Sequence, residues 1–485
     1  MTRGTWPLPG LSASLFQLEA YNVNGVCNVH LRKNWPRVPR MLKRLAARLH
    51  VAQPVVLILM TLLIGGVFKL SAFVREAFIT SRFGFSSTTD AYFALQQLPL
   101  TVSAFMMGPF SRAFTPVYGA SYQSNGRVNW FSGLIVYVSV VGLALTALTI
   151  GFAPLILHAV TRSGSSATLV TLSLCYVPIM LIGFRASTWT SYGKNLWSLS
   201  LTGLPYLVMT ILLVGMYFAN QLSDLSLPIS MTGGFGFVGV ISLGHLLWKE
   251  KPFQGAPNPL LVWRNREFRT FLKRLLASSS ETFGYSASQF VMLYFMARAG
   301  TGIISANNSA TRIGWLGYSL VVLPLLQLIQ SRLCQSTESD RKSLAWRCVL
   351  GMGASAFAFA LLVFLFRYQI AALVYMHGKV SAAALEQVVA ILPAWLAYFV
   401  VVSLNSSISL YMFYSLKAYS YARNMLLGYL VTNILRILLA GRMEPSWIIW
   451  CGVIAEGGAF LANVLTTTAA ARTPRTVQVA EVSVT

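Results

Sequence analysis

Five ionisable side chains lie within one otherwise apolar stretch, residues 69–93, which reads KLSAFVREAFITSRFGFSSTTDAYF. They are Lys69, Arg75, Glu76, Arg82 and Asp90. A charge at the centre of a bilayer costs on the order of 2.5–3.5 kcal/mol on insertion scales, and such residues usually face a cavity or a charged partner. The three bases outnumber the two acids, so the stretch has an excess of positive charge. It therefore predicts the binding of an anion.

Helical spacing places these charges on one side of a helix. Residues seven apart return to nearly the same face, so Lys69 stacks with Glu76, and Arg75 stacks with Arg82 on a neighbouring stripe. Two interpretations are open. In the first, Arg82 reaches the membrane interface while Lys69 and Glu76 neutralise each other as a structural pair. In the second, the polar side is the cationic wall of a central cavity.

Polar residues in two later apolar stretches favour the cavity. Asn307, Asn308 and Arg312 share one stretch, and Glu281 follows the basic start of the stretch before it. The planar guanidinium can bind two phosphate oxygens at once, so pyrophosphate is an anion that buried arginines suit well. The expected pyrophosphate-binding residues are Lys69, Arg75, Glu76, Asp90 and Arg312, and the expected additional cavity-lining residues are Asn307, Asn308 and Glu281.

The elements that position these residues are membrane-spanning helices. Of the 485 residues, 55% are hydrophobic and 10% are charged, and the mean hydropathy is +0.63. These values exclude an ordinary soluble domain. Apolar stretches of about 20 residues recur, and each is long enough to cross roughly 30 Å of hydrocarbon as a helix. The sequence predicts an all-α polytopic membrane protein.

Gly, Pro and charged residues divide the apolar sequence into twelve predicted spans. Basic residues concentrate in connections after even-numbered spans, which predicts that both termini are cytoplasmic. The basic connection from Lys249 to Arg274 separates two sets of six spans, as in transporters with a central cavity between two lobes. The predicted limits are 54–81, 89–118, 131–157, 166–190, 196–219, 227–248, 272–297, 302–331, 345–366, 385–413, 421–440 and 446–468.

The predicted organisation has five segments. Residues 1–50 are a basic cytoplasmic tail without stable structure, or else include a stretch upstream of a start at Met41. Residues 51–248 form an N-lobe and residues 272–468 form a C-lobe. Residues 249–271 are the cytoplasmic loop between the lobes, and residues 469–485 are a second cytoplasmic tail.

The remaining composition argues against other functions. The net charge is +24, but its bases are spread between apolar spans, which is typical of membrane topology rather than of a nucleic-acid surface. The five cysteines form no CxxC pair and the five histidines no HxxH motif, so we expect no metal site, no cofactor and no enzyme activity. Glu456, beside Gly457 and Gly458, is either a coupling acid or a satisfied buried acid.

A longer run carries a resemblance to a known family. The segment FKLSAFVREAFITSRFGFSSTTDAYFALQQLP, followed by FSRAFTPVYGASY at 110–122, resembles the first two helices of the MurJ (MviN) lipid II flippases. These belong to the wider superfamily of MATE and polysaccharide exporters. The resemblance implies that Arg75 and Arg312 are cavity arginines, that Lys69 replaces a further one, that Glu76 replaces an Asp, and that Asp90 opens the second span. The other matching residues are Phe73, Phe83, Gly84, Ala91, Phe93, Leu98, Pro99, Phe110, Ser111, Ala113, Phe114 and Pro116.

Three departures from the family pattern bear on the substrate. The family has a basic pair shortly after Leu-Pro, whereas no base follows Leu98 and Pro99 here. The family's Glu-Gly before F-S-Q-A-F is replaced by Gly108 and Pro109, and the family has fourteen spans rather than the twelve predicted. These departures favour a relative that carries another polyprenol-linked glycan, such as an exopolysaccharide repeat unit.

The expected function is that of a flippase in the bacterial inner membrane. It would move a polyprenyl-pyrophosphate-linked glycan, either lipid II-like or an exopolysaccharide unit, from the inner to the outer leaflet by alternating access. Its expected partners are that glycan, the lipid bilayer and enzymes of envelope glycan synthesis. A cation-coupled MATE-type multidrug exporter is the alternative.

Overall fold

The computed structural model describes residues 53–125, 130–160, 165–192, 194–250, 259–318, 322, 338–376, 378–414, 418–439 and 444–469. The two predicted tails, and residues 251–258 of the predicted loop between the lobes, lie outside this part of the chain. Within it the secondary structure is helical and contains no strand. This is what long apolar runs require, because a helix satisfies its backbone hydrogen bonds within the segment.

Helices of the first half of the chain are connected by short segments. They are α1 Gln53–Phe83, α2 Ser87–Leu95, α3 Gln97–Phe105, a π-helix Met106–Phe110, α4 Ser111–Asn125, α5 Phe131–Gly151, α6 Ala153–Val160, α7 Ser166–Ser173, α8 Tyr176–Ser191, α9 Asn195–Phe218 and α10 Ser226–Glu250.

The second half begins with a 3₁₀ helix, Pro259–Arg264, which leads into the longest helix described. The helices that follow are α11 Arg266–Ala299, α12 Ile303–Gly317, α13 Glu338–Leu365, α14 Arg367–Tyr375, α15 Ala382–Tyr414, α16 Ala418–Leu439 and α17 Pro445–Ala469.

The helices coincide with the predicted spans, and the chain is a multi-pass membrane protein. The eighth span is described only as far as Tyr318 and at Val322. By length and composition, seven helices of the described residues are long and apolar enough to cross a membrane. They are Phe131–Gly151, Ser166–Ser191, Leu196–Phe218, Ser226–Glu250, Lys342–Leu365, Ala382–Ser409 and Pro445–Thr468.

The second span is the most broken of these helices. It runs through α2, α3, the π-helix and α4. Pro109 lies inside the π-helix beside Gly108. Proline supplies no backbone N–H to the helix, and the chain accommodates the gap with a wider turn. The departure from the family pattern at these two residues is therefore the point at which the span changes its winding.

Two sets of helices pack mainly among themselves and form two lobes. In the first lobe, α9 packs against α1, α8 and α10, while α8 also packs against α4 and α5. In the second lobe, α15 packs against α12, α13 and α17, while α16 packs against α11 and α17. The lobes meet where α12 contacts α1 and α2, where α14 contacts α1, and where α11 contacts α4.

Close helix approaches in the first lobe use glycine. A Cβ atom at Gly203 would lie 2.3 Å from the ring of Phe68, and one at Gly234 would lie 2.4 Å from the Cγ atom of Met209. Small residues are the usual means by which membrane helices approach closely, because lipid offers no hydrophobic drive for their association. Met209 is consequently held against α10 with its sulfur near the charged residues of α1.

Candidate functional site

The two charged residues at the centre of α1 are buried and paired with each other. Arg75 is 2% exposed and Glu76 is 1% exposed, and Arg75 Nη2 donates to Glu76 Oε1 at 3.1 Å. Side chains of adjacent helical residues normally point in different directions. The pair forms here because the arginine side chain is long enough to bend back to the neighbouring carboxylate. The pair lies within the helix that begins the first lobe.

A second arginine reaches the same carboxylate from the other lobe. Arg312 Nη2 lies 2.7 Å from Glu76 Oε1, and Arg312 Nε donates to Glu76 Oε2 at 2.8 Å. This is a two-point contact of the kind that a guanidinium and a carboxylate form best. Asn308 Nδ2 also donates to Glu76 Oε2, at 2.9 Å. Residues 308 and 312 are one helical turn apart, so both side chains that bind Glu76 lie on the same face of α12.

The charges at this centre do not balance. Two guanidiniums surround one carboxylate, which leaves one positive charge in excess. Arg75 Nε is buried and has no hydrogen-bond partner among the described residues. Arg312 is 26% exposed and is the more accessible of the two arginines. The arrangement can therefore accept an additional anion, which would use N–H groups that Glu76 leaves free.

Helix α9 holds the remaining side of Arg75. Its Nη1 lies 3.4 Å from the sulfur of Met209, and its guanidinium carbon lies 5.5 Å from the ring centre of Tyr206. A thioether is a weak acceptor and the face of an aromatic ring attracts a cation, so neither contact neutralises the arginine. The guanidinium is thus fixed in place with its charge partly uncompensated.

Asp90 lies at a different lobe contact from the arginine centre. The buried carboxylate accepts from Gly302 N at 2.5 Å, from Ser305 N at 2.8 Å and from Ser305 Oγ at 2.6 Å. It therefore caps the N-terminus of α12, where backbone N–H groups are unpaired and the helix dipole favours an anion. The structure assigns these oxygens to α12, and a direct contact of Asp90 with substrate stays a prediction.

Backbone contacts reinforce the lobe connection near Asp90. Lys379 N donates to Ser81 O at 2.9 Å, and Gly378 adopts a φ of +69° beside the same carbonyl. A Cβ atom at Gly378 would lie 2.0 Å from Ser81 O, so only glycine fits. We call the contacts of residues 81–90 with residues 302–305 and 378–379 the clasp. Glu76 is seven residues before the end of α1, which places the charged centre about 10 Å from this clasp.

Two of the predicted cavity-lining residues have other partners. Asn307 is buried and accepts from Trp395 Nε1 at 2.8 Å, so it faces α15 within the second lobe. Glu281 lies on α11, 3.6 Å from Arg112 Nη1, and accepts from Tyr421 OH at 3.3 Å. The structure therefore brings Asn308 to the arginine centre and keeps Asn307 away from it.

Arg112 is a candidate residue that the sequence reasoning did not select. It is 46% exposed and is the second residue of α4, close after the π-helix, where it pairs with Glu281 of the opposite lobe. Beside it, Ser278 Oγ donates to Pro109 O at 3.1 Å. The signal was present in FSRAFTP, because this arginine occupies the position of glutamine in the family pattern F-S-Q-A-F.

The two remaining bases of α1 differ in what the structure shows. The side chain of Lys69 lies outside the described residues, so its predicted contact with Glu76 stays a prediction. Arg82 is exposed and lies over the ring of Tyr217, with 4.1 Å between the guanidinium carbon and the ring centre. The face of the ring attracts the cation, and the role of Arg82 as an interfacial anchor stays a prediction.

Comparisons with known proteins agree on one family and one fold. The family model described as "Lipid II flippase MurJ" matches residues 79–474. A relative from Aquifex aeolicus (strain VF5), "Probable lipid II flippase MurJ", is 24% identical over an alignment of 286 residues, and the match covers 53% of this chain and 52% of that protein. The match thus spans about half the length of this relative.

Solved structures of a MurJ flippase and of a MATE transporter share the fold of this chain. The structure "Lipid II flippase MurJ, inward closed conformation" has a TM-score of 0.70 at 17% identity, and the match covers 84% of this chain and 87% of that one. An inward-facing multidrug resistance MATE family transporter has a TM-score of 0.68 at 12% identity and coverages of 86% and 99%. At these identities the structural likeness shows the fold alone.

Proposed function

Because the chain belongs to the MurJ family of lipid II flippases, we propose that it moves a polyprenyl-pyrophosphate-linked glycan precursor of the cell envelope from the inner to the outer leaflet. The observation that carries this proposal is the pair of arginines from two lobes around a single carboxylate. The glycan is lipid II-like or an exopolysaccharide repeat unit. No bond of the substrate is made or broken, so the protein acts as a transporter and not as an enzyme.

The chemistry of the substrate suits the arginine centre. A pyrophosphate carries several anionic oxygens close together, and guanidinium groups bind such oxygens in pairs. The free Nε of Arg75 and the partly exposed guanidinium of Arg312 provide donors that Glu76 does not use. The low dielectric constant of the surroundings strengthens each of these contacts relative to water. The pyrophosphate is therefore the part of the substrate that this site recognises.

Movement of the substrate follows from the position of the site between two lobes. In alternating access the lobes separate at one membrane face while they remain in contact at the other. The clasp provides the contact at the predicted outer face, and Arg112 with Glu281 provides one on the other side of the site. The isoprenoid tail stays in lipid while the head group crosses between the lobes. The predicted lobes, residues 51–248 and 272–468, are the moving units of this proposal, with both termini in the cytoplasm of a bacterial cell.

The alternative of a cationic-drug exporter has less support. The MATE structures share the fold, but their 12% identity says nothing about the substrate. Two guanidiniums at the lobe interface repel a cation, and the single acid between them is already bound by both. A cationic drug would have to displace an arginine from Glu76 in order to reach the carboxylate.

The proposal can be tested in vesicles that contain the purified protein and a fluorescent polyprenyl-pyrophosphate sugar. A reductant that does not cross the membrane destroys the fluorescence of the outer leaflet, so continued loss of signal reports translocation. We expect Arg75→Ala and Arg312→Ala to lose translocation, whereas Arg298→Ala, an exposed arginine over Tyr294, keeps it. A monophosphate analogue should be carried poorly by the wild type. Full activity of Arg75→Ala or of Arg312→Ala, or equal transport of both lipids, would overturn the proposal.

A further inference from the structure

A second buried glutamate lies wholly inside the second lobe. Glu456 of α17 is 3% exposed. Its Oε1 accepts from Tyr398 OH at 3.1 Å, and its Oε2 accepts from Asn405 Nδ2 at 2.8 Å. Asn405 Nδ2 also lies 3.1 Å from the backbone carbonyl oxygen of Glu456. Both of these partners belong to α15. The hydroxyl of Tyr429 on α16 also hydrogen-bonds to the carboxylate, and all three partners are neutral.

The other ionisable groups around Glu456 do not form an ion pair with it among the described residues. From α16, Tyr429 and Arg436 face this region, and from α11 Tyr285 and Glu281 do. Arg436 directs its N–H groups elsewhere, to Ile448 O at 2.8 Å and to Ser288 O and Oγ at 2.6 and 2.8 Å. An ionised Glu456 therefore carries a charge that no described base contacts, and binding of one proton removes that charge.

Three buried asparagines, Asn405, Asn463 and Asn424, are hydrogen-bonded in series from Glu456 to one end of the lobe, and we call them the asparagine file. Asn463 Nδ2 donates to Asn405 Oδ1 at 3.4 Å, and Asn424 Nδ2 donates to Asn463 Oδ1 at 2.9 Å. Beyond them, Arg423 Nη2 lies 3.4 Å from Asn424 Oδ1, and the Arg423 side chain is exposed. Asn424 lies in the second turn of α16, and Asn463 lies two turns before the end of α17. This end of the lobe is the predicted cytoplasmic face.

A second set of contacts leads from Glu456 to the helix that carries Arg312. The ring of Tyr398 lies 5.4 Å from the ring of Trp395, measured between ring centres. Trp395 Nε1 donates to Asn307 Oδ1 at 2.8 Å, and Asn307 is on α12. A change in the hydrogen bonding of Glu456 can therefore act on α12 through directly packed side chains.

We propose that Glu456 is a proton-binding site, that protons reach it in water that enters along the polar asparagine file, and that its protonation biases the position of α12. One proton from water at the predicted cytoplasmic face adds to a carboxylate oxygen and forms an O–H bond; no electrons are gained or lost. The protonated acid can still bond to Tyr398 and Asn405, but one of them must then accept instead of donate, which a rotated hydroxyl or a turned amide allows. This reversal is the change in hydrogen bonding that acts on α12. Only the coupling of this proton to movement rests on the proposed function.

The binding site itself can be tested on the whole purified protein in lipid nanodiscs. Proton uptake is measured as the pH is lowered, together with the infrared band of protonated carboxylic acids. We expect Glu456→Gln to bind one proton fewer per molecule than the wild type and to lose one such band. Glu386→Gln, which changes an exposed acid on α15, should retain that band. Identical uptake and spectra for the wild type and Glu456→Gln would overturn the proposal.

Two further variants complete the test. One replaces Glu456→Gln if that variant does not fold, and the other examines whether protons reach Glu456 along the asparagine file. If Glu456→Gln does not fold, Tyr398→Phe should shift the infrared band of Glu456, since it removes one hydrogen bond; an unshifted band would contradict the assignment. Asn463→Leu should slow proton uptake at least tenfold without changing its final amount. An unchanged rate would show that the asparagine file is not the route.

Coupling is tested in the translocation assay under an imposed pH gradient. The wild-type rate should change severalfold with the gradient, while the rate of Glu456→Gln should not respond. Equal responses of the two proteins would overturn the coupling. If neither protein translocates the pyrophosphate lipid, the proposed function fails, and the titration still decides whether Glu456 binds a proton.

Discussion

Glu76 and Glu456 are two fully buried glutamates of one chain, and their partners differ in kind. Glu76 lies between lobes and is bound by two arginines, whereas Glu456 lies within one lobe and is bound by two tyrosines and an asparagine. The first carboxylate is required as an anion, because its loss would leave the buried guanidinium of Arg75 and the partly exposed guanidinium of Arg312 without a counter-charge. The second can exist with or without its proton. Burial alone therefore does not define the role of an acid in this membrane protein.

Replacement of Glu76 should have the largest effect on stability. We expect Glu76→Gln to lower the free energy of unfolding by about 3–5 kcal/mol, since removal of one partner leaves the other buried charges uncompensated. Denaturant unfolding in detergent micelles measures the change. Glu386→Gln, an exposed substitution on α15, should stay within about 0.5 kcal/mol of the wild type. A loss as small as that of the control would show that Glu76 is not needed as an anion.

A double substitution separates the pairing from burial itself. The double variant Glu76→Gln/Arg312→Gln should lose less free energy of unfolding than the two single variants together, by about 1–3 kcal/mol. The reason is that the two side chains contact each other directly. The combination of Glu76→Gln with Arg436→Gln should be additive, since Arg436 bonds to Ser288 and Ile448. Unfolding of the five variants measures both coupling energies. Equal coupling in the two cycles would contradict the assigned pairing.

Asp90 provides a case between the two glutamates, because its partner is a helix end rather than a charge. Asp90→Asn should lower the free energy of unfolding by about 1–2 kcal/mol. The amide can accept a hydrogen bond at one oxygen, but it places an NH₂ group against a backbone N–H donor. It should also loosen the clasp. Spin labels on the exposed positions Ser87 and Lys379 would report a larger mean separation. An unchanged distance distribution would mean that Asp90 does not hold the lobes together.

The smallest loss is expected at Glu456. Glu456→Gln keeps the shape of the side chain and can bond to both Tyr398 and Asn405, so we expect a change of about 1 kcal/mol or less. The same unfolding experiment applies, with Glu76→Gln as the comparison. A loss as large as that of Glu76→Gln would show that Glu456 has a charged partner, and the contrast between the two centres would then be wrong.

Much of the fold follows from the sequence, because the length of the apolar stretches and the positions of the charged residues between them determine where helices cross a membrane. The predicted spans coincide with helices, and the resemblance in residues 68–122 agrees with the family match over residues 79–474. The break at Gly108 and Pro109 was visible as a departure from the family pattern. Its π-helical winding was not, since it depends on how the neighbouring helices accept the widened turn.

The partners within the site were harder to predict. Helical spacing suggested that Glu76 meets Lys69, a contact that stays a prediction, but it gave no sign that Arg75 and Arg312 bind the same carboxylate. Periodicity describes which residues share a face of one helix, and it contains no information about which face of a distant helix lies opposite. For the same reason the sequence could not show that the carboxylate of Asp90 caps α12, and its contact with substrate stays a prediction.

The adjacency of Arg75 and Glu76 has a consequence for the biogenesis of the protein. Arg312 is 236 residues further along the chain than Glu76, so it is synthesised later. At about 5–20 residues per second, α1 waits on the order of ten seconds or longer for that partner. During this interval the neighbouring arginine, 3.1 Å away in the finished structure, is the counter-charge that α1 brings with it. The first helix can thus enter the bilayer with a neutral pair at its centre, and the excess charge arrives only when the eighth span is inserted.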